Sequence, residues 1–263
     1  MKNLKEFKSH IEFVLTDIDD TLTSEGQLHS NAYESLWKLH DAGLKVIPIT
    51  GRPAGWCEMI ARFWPVAGVV GENGGFYFHY ENQKMNRWFF TNEKTMAENK
   101  IKLIQIQREV LEKVPGSAVS SDQFCRLMDL AIDFAEDVKP LNSASIQNIV
   151  DIFKAHYAEA KVSSIHVNGW FGNYNKLTTT LLFLKNNFGL SSEDILKKCI
   201  FVGDSPNDEP MFEHFPLSFG VANVLDFQNS IQHLPQFIAS EKGGSGFSEI
   251  SKYVLESCEG FKK

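Results

Sequence analysis

Four aspartates, one lysine and one threonine sit along this 263-residue chain where they could carry out phosphoryl transfer. Asp17 and Asp19 lie one residue apart in Asp17-Ile18-Asp19-Asp20-Thr21-Leu22-Thr23, directly after the apolar run 11–16. Thr50 follows a second apolar run, 44–49. Asp204 and Asp208 follow a third, 199–202, and Lys176 opens the helical pattern that precedes it. An acidic turn capping a helix uses the same residue types. Crowded acids nevertheless repel unless something positive joins them, most simply a metal ion. The full set suits a carboxylate that attacks phosphorus and a second that moves a proton. A hard, oxygen-loving cation such as Mg²⁺ would neutralise charge, and an ammonium and a hydroxyl would hold the phosphoryl oxygens.

The elements that must position these groups read as buried strands, because the runs are short, apolar and rich in β-branched or aromatic residues. Ligands in open α/β sheets bind beyond the carboxyl ends of the strands, so the groups should converge at one edge. Between the first two runs, Ala32, Leu36 and Leu39 mark a helix over 30–42, stopped by Gly43. Pro48 fits only the end of its strand. A helix near 57–63 and a strand over 66–70 complete a β-α-β-α-β alternation, which predicts a doubly wound parallel sheet.

That alternation breaks after Gly71-Glu72-Asn73-Gly74-Gly75. Stretches 76–80 and 87–90 read as a hairpin. A helix over 95–114, strands over 118–120 and 126–134, a helix over 143–157 and a strand over 161–167 follow, with Trp170-Phe171 opening one more. Helix, two strands, repeated, is an α+β module in its own right. Alternation resumes with a helix over 177–188, the strand 199–202, a last strand over 217–221 and a closing helix over 247–255. The expected fold class is therefore α/β, a doubly wound parallel-sheet core (1–84 and 171–263) with an α+β module inserted at 85–170.

Composition bounds the function. With 43% hydrophobic and 22% charged residues the chain can bury a sizeable core. A net charge of -7 argues against a protein that coats nucleic-acid phosphates. Cys57, Cys125, Cys199 and Cys258 are far apart, form no metal-like pair and suit reduced thiols in a cytoplasmic protein. Residues 1–10 are polar, unlike a signal peptide, and no run approaches the roughly 18 apolar residues of a membrane span.

The residues also resemble a known family. Asp17-Ile18-Asp19-Asp20-Thr21 is similar to the DxDxT signature of the haloacid dehalogenase-like hydrolases. Thr50-Gly51-Arg52-Pro53, Lys176 and Gly203-Asp204-Ser205-Pro206-Asn207-Asp208 resemble that superfamily's second, third and fourth motifs, in the right order. An insert between the second and third is the arrangement of members with a C2-type cap (subfamily IIB), mostly sugar-phosphate phosphatases of the Cof-like, sucrose-phosphate and trehalose-phosphate kinds. The resemblance implies a Rossmann-like core with a C2 cap, and a Mg²⁺-dependent phosphatase acting on a small phosphorylated metabolite, most simply a sugar phosphate. It implies Asp17 as nucleophile and Asp19 as general acid/base. Thr50, Gly51, Lys176 and Asn207 would contact the phosphoryl group. Asp17, Asp19 (through its carbonyl), Asp204 and Asp208 would serve the metal. Asp20 departs from the pattern, standing where Gly is commonest, and Leu177 follows Lys176 where many relatives have Gly. Glu72-Asn73-Gly74-Gly75 resembles a loop near the phosphate site in relatives and reads equally as a simple turn.

For choice of substrate, Arg52 and the insert's Arg126, His166, Asn168 and Trp170 are types that grip hydroxylated or anionic ligands, and equally types that fill a core or a surface. Two other functions fit the same residues. One is a phosphomannomutase-like phosphomutase that returns the group to the sugar, and the other is a non-catalytic binding protein on this fold.

Overall fold

The computed structural model describes residues 1–260. In chain order the first half holds β1 (Lys2–Asn3), β2 (Phe13–Thr16), α1 (Ser30–Asp41), β3 (Lys45–Pro48), α2 (Ala54–Phe63), β4 (Val69–Gly71), β5 (Phe76–Glu81) and β6 (Lys84–Phe89). Then come α3 (Glu93–Lys113), β7 (Ala118–Val119), β8 (Asp129–Asp133), α4 (Ser143–Ala155), β9 (Glu159–Val162) and β10 (His166–Trp170). The chain finishes with α5 (Lys176–Phe188), α6 (Ser192–Lys198), β11 (Cys199–Gly203), α7 (Glu209–His214), β12 (Ser218–Gly220), β13 (Phe237–Ile238) and α8 (Gly243–Gly260).

Six strands form a parallel sheet in the order β1-β13-β12-β11-β2-β3. A bridge from Ile49 to Val70 sets β4 beside β3, and β4, β5 and β6 continue as an antiparallel meander. The strands read as continuous apolar runs because both faces are covered, and their two-residue period divides them between two cores. Val14, Val46, Ile200 and Val202 point into one, against Leu36 and Leu39 of α1 and Phe247, Ile250 and Val254 of α8. Phe13, Leu15, Ile47 and Phe201 point into the other, against Phe183 and Leu184 of α5 and Met211 and Phe212 of α7. Pro48 takes the last register position of β3, opposite Thr16, as its missing N–H requires.

The inserted stretch builds a separate four-stranded antiparallel sheet, β7-β8-β10-β9. One face is covered by α3 and α4 through a third core that includes Ile106, Val110, Leu130, Ile132, Ile149, Phe153 and Val167. Here the structure differs from the sequence expectation in detail. The single strand expected over 161–167 is two strands reversing at 163–165, and Trp170 ends β10 instead of opening another. Residues 126–128 are not strand, because their backbone is drawn toward the core by Glu72. The edge strand β1 and its neighbour β13, two residues each, are too short to show any period. The closing helix starts at Gly243, four residues ahead of its apolar pattern.

Gly74 fixes how closely the loop after β4 approaches the start of α5. Its φ is +106°, and a Cβ there would lie 2.2 Å from the Asn175 carbonyl oxygen. Strain of this kind costs about 1–3 kcal/mol before any clash. We expect Gly74→Ala to lower the free energy of urea unfolding by about 2 kcal/mol or more; an unchanged midpoint would contradict this close approach.

Candidate active site

The site forms where the sheet order reverses, between β2 and its neighbours β3 and β11, at their carboxyl ends. Asp17 continues the ladder, its N–H donating to the Val202 carbonyl at 2.9 Å. The chain then turns sharply, and Asp20 takes φ +58°, the left-handed region that Gly fills most easily. Two side chains secure it there. Thr23 Oγ1 accepts from the Asp20 N–H at 3.0 Å, and Asn223 Nδ2 donates to the Asp20 carbonyl at 3.1 Å. The departure from Gly thus leaves the loop's path intact, since Asp is among the residues that tolerate this conformation.

Lys176, the first residue of α5, reaches under the loop and donates to Asp17 Oδ1 at 2.6 Å and Asp208 Oδ1 at 3.0 Å. Asp208 is wholly buried, and its Oδ2 accepts from the Asp204 N–H at 3.1 Å. A Cβ on Gly203 would meet that same Oδ2 at 2.5 Å, so the strand must end in glycine for the loop to fold back this tightly. Thr21 Oγ1 donates to Asp204 Oδ1 at 3.3 Å.

Oxygens of Asp17, Asp204 and Asp208 lie within 4.8 Å of one another, all on buried residues, and Lys176 is the ammonium bonded among them. Three carboxylates against one cation is the donor set that a hard divalent ion takes. Burial pushes the Asp17 carboxyl up to about 8, with Lys176 opposing and Asp208 and Asp19 adding to the rise. Burial, then Asp208 and Asp17, hold Asp204 well above the usual carboxylate range. Burial works against the Lys176 charge, but Asp17 and Asp208 outweigh it and raise its pKa. The residues present therefore fit a divalent cation.

A cavity of about 30 Å³ lies over this cluster. Asp17, Asp19, Lys176, Asp204 and Asn207 line its floor, and Gly51 and Arg52 its side. The inserted module closes it from above with Arg126, His166, Asn168 and the turn 163–165. Thr50 is buried behind the wall, where its Oγ1 accepts from the Arg52 N–H at 3.0 Å. Trp170 lies outside this cavity, stacked on Tyr174, and lines a neighbouring one of about 90 Å³ with Lys176 and Asn207. A cleft of about 560 Å³ opens on the opposite side past Asp204, Ser205 and Asn207, with Phe134, Val162 and Phe227 on its walls.

The arginines are already engaged. Arg52 grips Asp19 through Nε (3.0 and 3.1 Å) and Nη2 (2.9 Å), reaches Glu136 through Nη1 (3.1 Å) and stacks over Trp56. Arg126 binds Asp122, Asp129 and the Gly51 carbonyl, and Asn168 donates to Asp129 at 2.9 Å. His166 Nε2 lies 2.9 Å from Glu136 Oε2.

The sequence reading missed the acids that hold this roof: Asp122, Asp129, Glu136 and above all Glu72. The Glu72 carboxylate is fully buried and accepts the N–H groups of Ala54, Leu127, Met128 and Asp129, tying the loop after β4 to the inserted module. Burial, with Asp129 close by, pushes it up to about 8 against Arg126 and the backbone donors. Its only signal in the sequence was its place within Gly71-Glu72-Asn73-Gly74-Gly75; Asn73 of the same loop lines the cavity.

Comparison with known proteins agrees with this geometry. A family model described as haloacid dehalogenase-like hydrolase matches residues 14–106. The chain is 26% identical to a phosphoglycolate phosphatase of Methanobrevibacter smithii over 253 residues, covering 94% of this chain and all of that protein. It is also 26% identical to a phosphoglycolate phosphatase of Thermoplasma volcanium, covering 91% and 96%. Among solved structures, one from Thermoplasma acidophilum superposes with a TM-score of 0.72 at 19% identity, covering 94% and 99%. The sucrose-phosphatase of Synechocystis, solved with sucrose and phosphate, superposes at 0.63 and 13%, covering 93% and 98%. At these identities the structures show a shared fold.

Two outcomes test the geometry. Mg²⁺ should raise the melting temperature, since it binds only the assembled acids. Asp204→Asn should abolish that rise while stabilising the metal-free chain, because the cost of burying this carboxyl, and after it the repulsion from Asp208 and Asp17, is gone. Glu72→Ala leaves four backbone donors without their acceptor, at a cost on the order of 3 kcal/mol. Amide exchange at 127–129 should speed up in that variant, and unchanged exchange would contradict the clamp.

Proposed function

We propose that this protein is a haloacid dehalogenase-like hydrolase, a Mg²⁺-dependent phosphatase that cleaves a small phosphomonoester through an aspartyl phosphate. The observation that carries the reading is the buried Asp17–Lys176–Asp208 chain beside Asp204, opening into a cavity that Asp19 also lines. Asp17 Oδ1 is held by Lys176, which leaves Oδ2 to attack phosphorus. The P–O bond to the alcohol breaks, and Asp19 supplies the proton that the departing oxygen needs. The Asp19 carboxylate then takes a proton from water. That water attacks the aspartyl phosphate, releasing inorganic phosphate and restoring Asp17. Lys176, Gly51 and Asn207, which line the cavity, orient the phosphoryl oxygens, and Thr50 shapes the wall behind them through the Arg52 N–H, so catalysis is mostly positioning and charge. Asp17, Asp204, Asp208 and the Asp19 carbonyl would hold Mg²⁺, which would supply charge neutralisation.

The same reading treats residues 85–170 as a cap on a core of 1–84 and 171–263, supported by the separate sheet and core that the insert builds from α3 to β10, while β6 at its start stays paired with β5. A capped site excludes water and selects the leaving group. The cavity over the acids is small, so the rest of a substrate would extend toward the 560 Å³ cleft. Two ester types stand out: sugar phosphates, as for the sucrose-phosphatase neighbour, and phosphoglycolate, as for the relatives of similar length. Arg126 and Asn168 shape the roof by holding Asp122 and Asp129, and Trp170 supports it from the side. Four free cysteines support a reducing, cytoplasmic setting.

Phosphate release from a panel of both ester types, with Mg²⁺ and with chelator, tests the reading. Asp17→Asn should lower the rate at least about a thousandfold, and Lys176→Met nearly as far. Chelator should stop the reaction and added Mg²⁺ restore it. Equal activity of Asp17→Asn would remove the mechanism, and transfer of phosphate to a second sugar hydroxyl, with no free phosphate, would make the protein a mutase.

A further inference from the structure

Asp19 is not free in this structure. Both of its oxygens face Arg52, Oδ1 with two bonds and Oδ2 with one that is shared, so Oδ2 keeps the greater capacity for a leaving-group oxygen. Arg52 is itself fixed from three directions. Its Cζ lies 4.6 Å from the centre of the Trp56 ring, Asp122 Oδ2 stands 3.8 Å from Nη1, and Glu136 Oε1 takes Nη1 at 3.1 Å. Glu136 belongs to the segment after β8, in the inserted module, whereas Asp19 and Arg52 belong to the loops after β2 and β3. Its second oxygen lies 2.9 Å from His166 of β10, a residue on the cavity roof. A guanidinium is a rigid fork, so occupying Nη1 dictates which edge it turns to Asp19.

We infer that Glu136 is a positioning residue: from the inserted module it orients Arg52, and through Arg52 it aims the Asp19 carboxyl at the leaving-group oxygen. The inference rests on the reading of Asp19 as the proton donor. The Glu136–Arg52 bond joins the two modules, so Asp19 is aimed only while the insert lies over the core. Proton transfer is thereby tied to a covered site, where misdirected loss of the proton to solvent is suppressed. Nothing in the type or spacing of Glu136 marks it in the sequence; only the fold brings it to Arg52.

A leaving group's need for a proton gives the test. An alkoxide is a poor leaving group and depends on the acid, whereas p-nitrophenolate departs without one. Single-turnover release of the leaving group is measured with Mg²⁺ for p-nitrophenyl phosphate and for whichever of glucose 6-phosphate and 2-phosphoglycolate reacts faster. Glu136→Ala should slow the alkyl ester about 10- to 100-fold and p-nitrophenyl phosphate less than about threefold. Glu136→Gln, which keeps an acceptor for Arg52, should recover part of the loss. Urea unfolding should be little changed, since the Glu136 side chain is 29% exposed. Equal losses on both esters, or none, overturn the role of Glu136. Asp19→Asn separates the two readings. If it spares p-nitrophenyl phosphate while Glu136→Ala does not discriminate, only the inference fails. If Asp19→Asn shows no discrimination, or the wild type cleaves neither ester, the reading beneath it fails as well.

Discussion

One buried ammonium decides whether this site can exist. Asp17, Asp204 and Asp208 are drawn together by strand ends that the hydrophobic core fixes in place, and their mutual repulsion in a dry setting would spread them apart. Lys176 stands between two of them, held above its ordinary pKa by their charge. Its position follows from α5, where Asn175 caps the helix by accepting the Thr178 N–H and so fixes Lys176 as the first helical residue. A helix that began a turn later would leave two acids facing each other. Three carboxyl groups to one ammonium is an excess of acid that a divalent cation would balance.

A second set of charges joins the inserted module to the core, and it is built on the same rule that buried charges must be paired and hydrogen-bonded. Glu72 gathers N–H groups from both sides of the junction, Arg126 binds two acids of the insert and a core carbonyl, and Arg52 spans from Asp19 to Glu136. These contacts are directional, unlike the hydrophobic contacts within each module, so they fix the roof at a defined height over the acids. The structure thus separates two tasks. Apolar packing places the strands, and buried ionic contacts, together with an apolar seam at Met128 and Trp170, register one module against the other.

How much of this was legible depended on the range of the forces involved. The parallel core could be read because each strand is a short apolar run and each helix shows its own period. Asp17, Asp19 and Asp204 could be read because a strand end is a local feature and parallel strands bring such ends together, and Lys176 because it opens a helical pattern and resembles a family motif. The reversal at 163–165 between β9 and β10 rests on the short pair Ser163-Ser164, which the β-branched residues at 162, 165 and 167 flank so closely that the stretch reads as one strand, and β1 and β13 were too short to carry a period. Asp20 looked like a departure from pattern, yet Thr23 and Asn223 support its left-handed backbone, and Asn223 is 203 residues away.

The sequence by itself determined the fold class and which acids stand at strand ends, because these follow from local periodicity and from groups placed where a buried run stops. Only the tertiary structure decided that Thr50 lies behind the cavity wall, that Arg126 and Asn168 are spent on Asp122 and Asp129, and that Glu72 and Glu136 join the modules. The reason is physical. A salt bridge between residues far apart in the chain leaves no periodic trace, since its energy depends on burial and geometry that exist only once both modules have folded against each other.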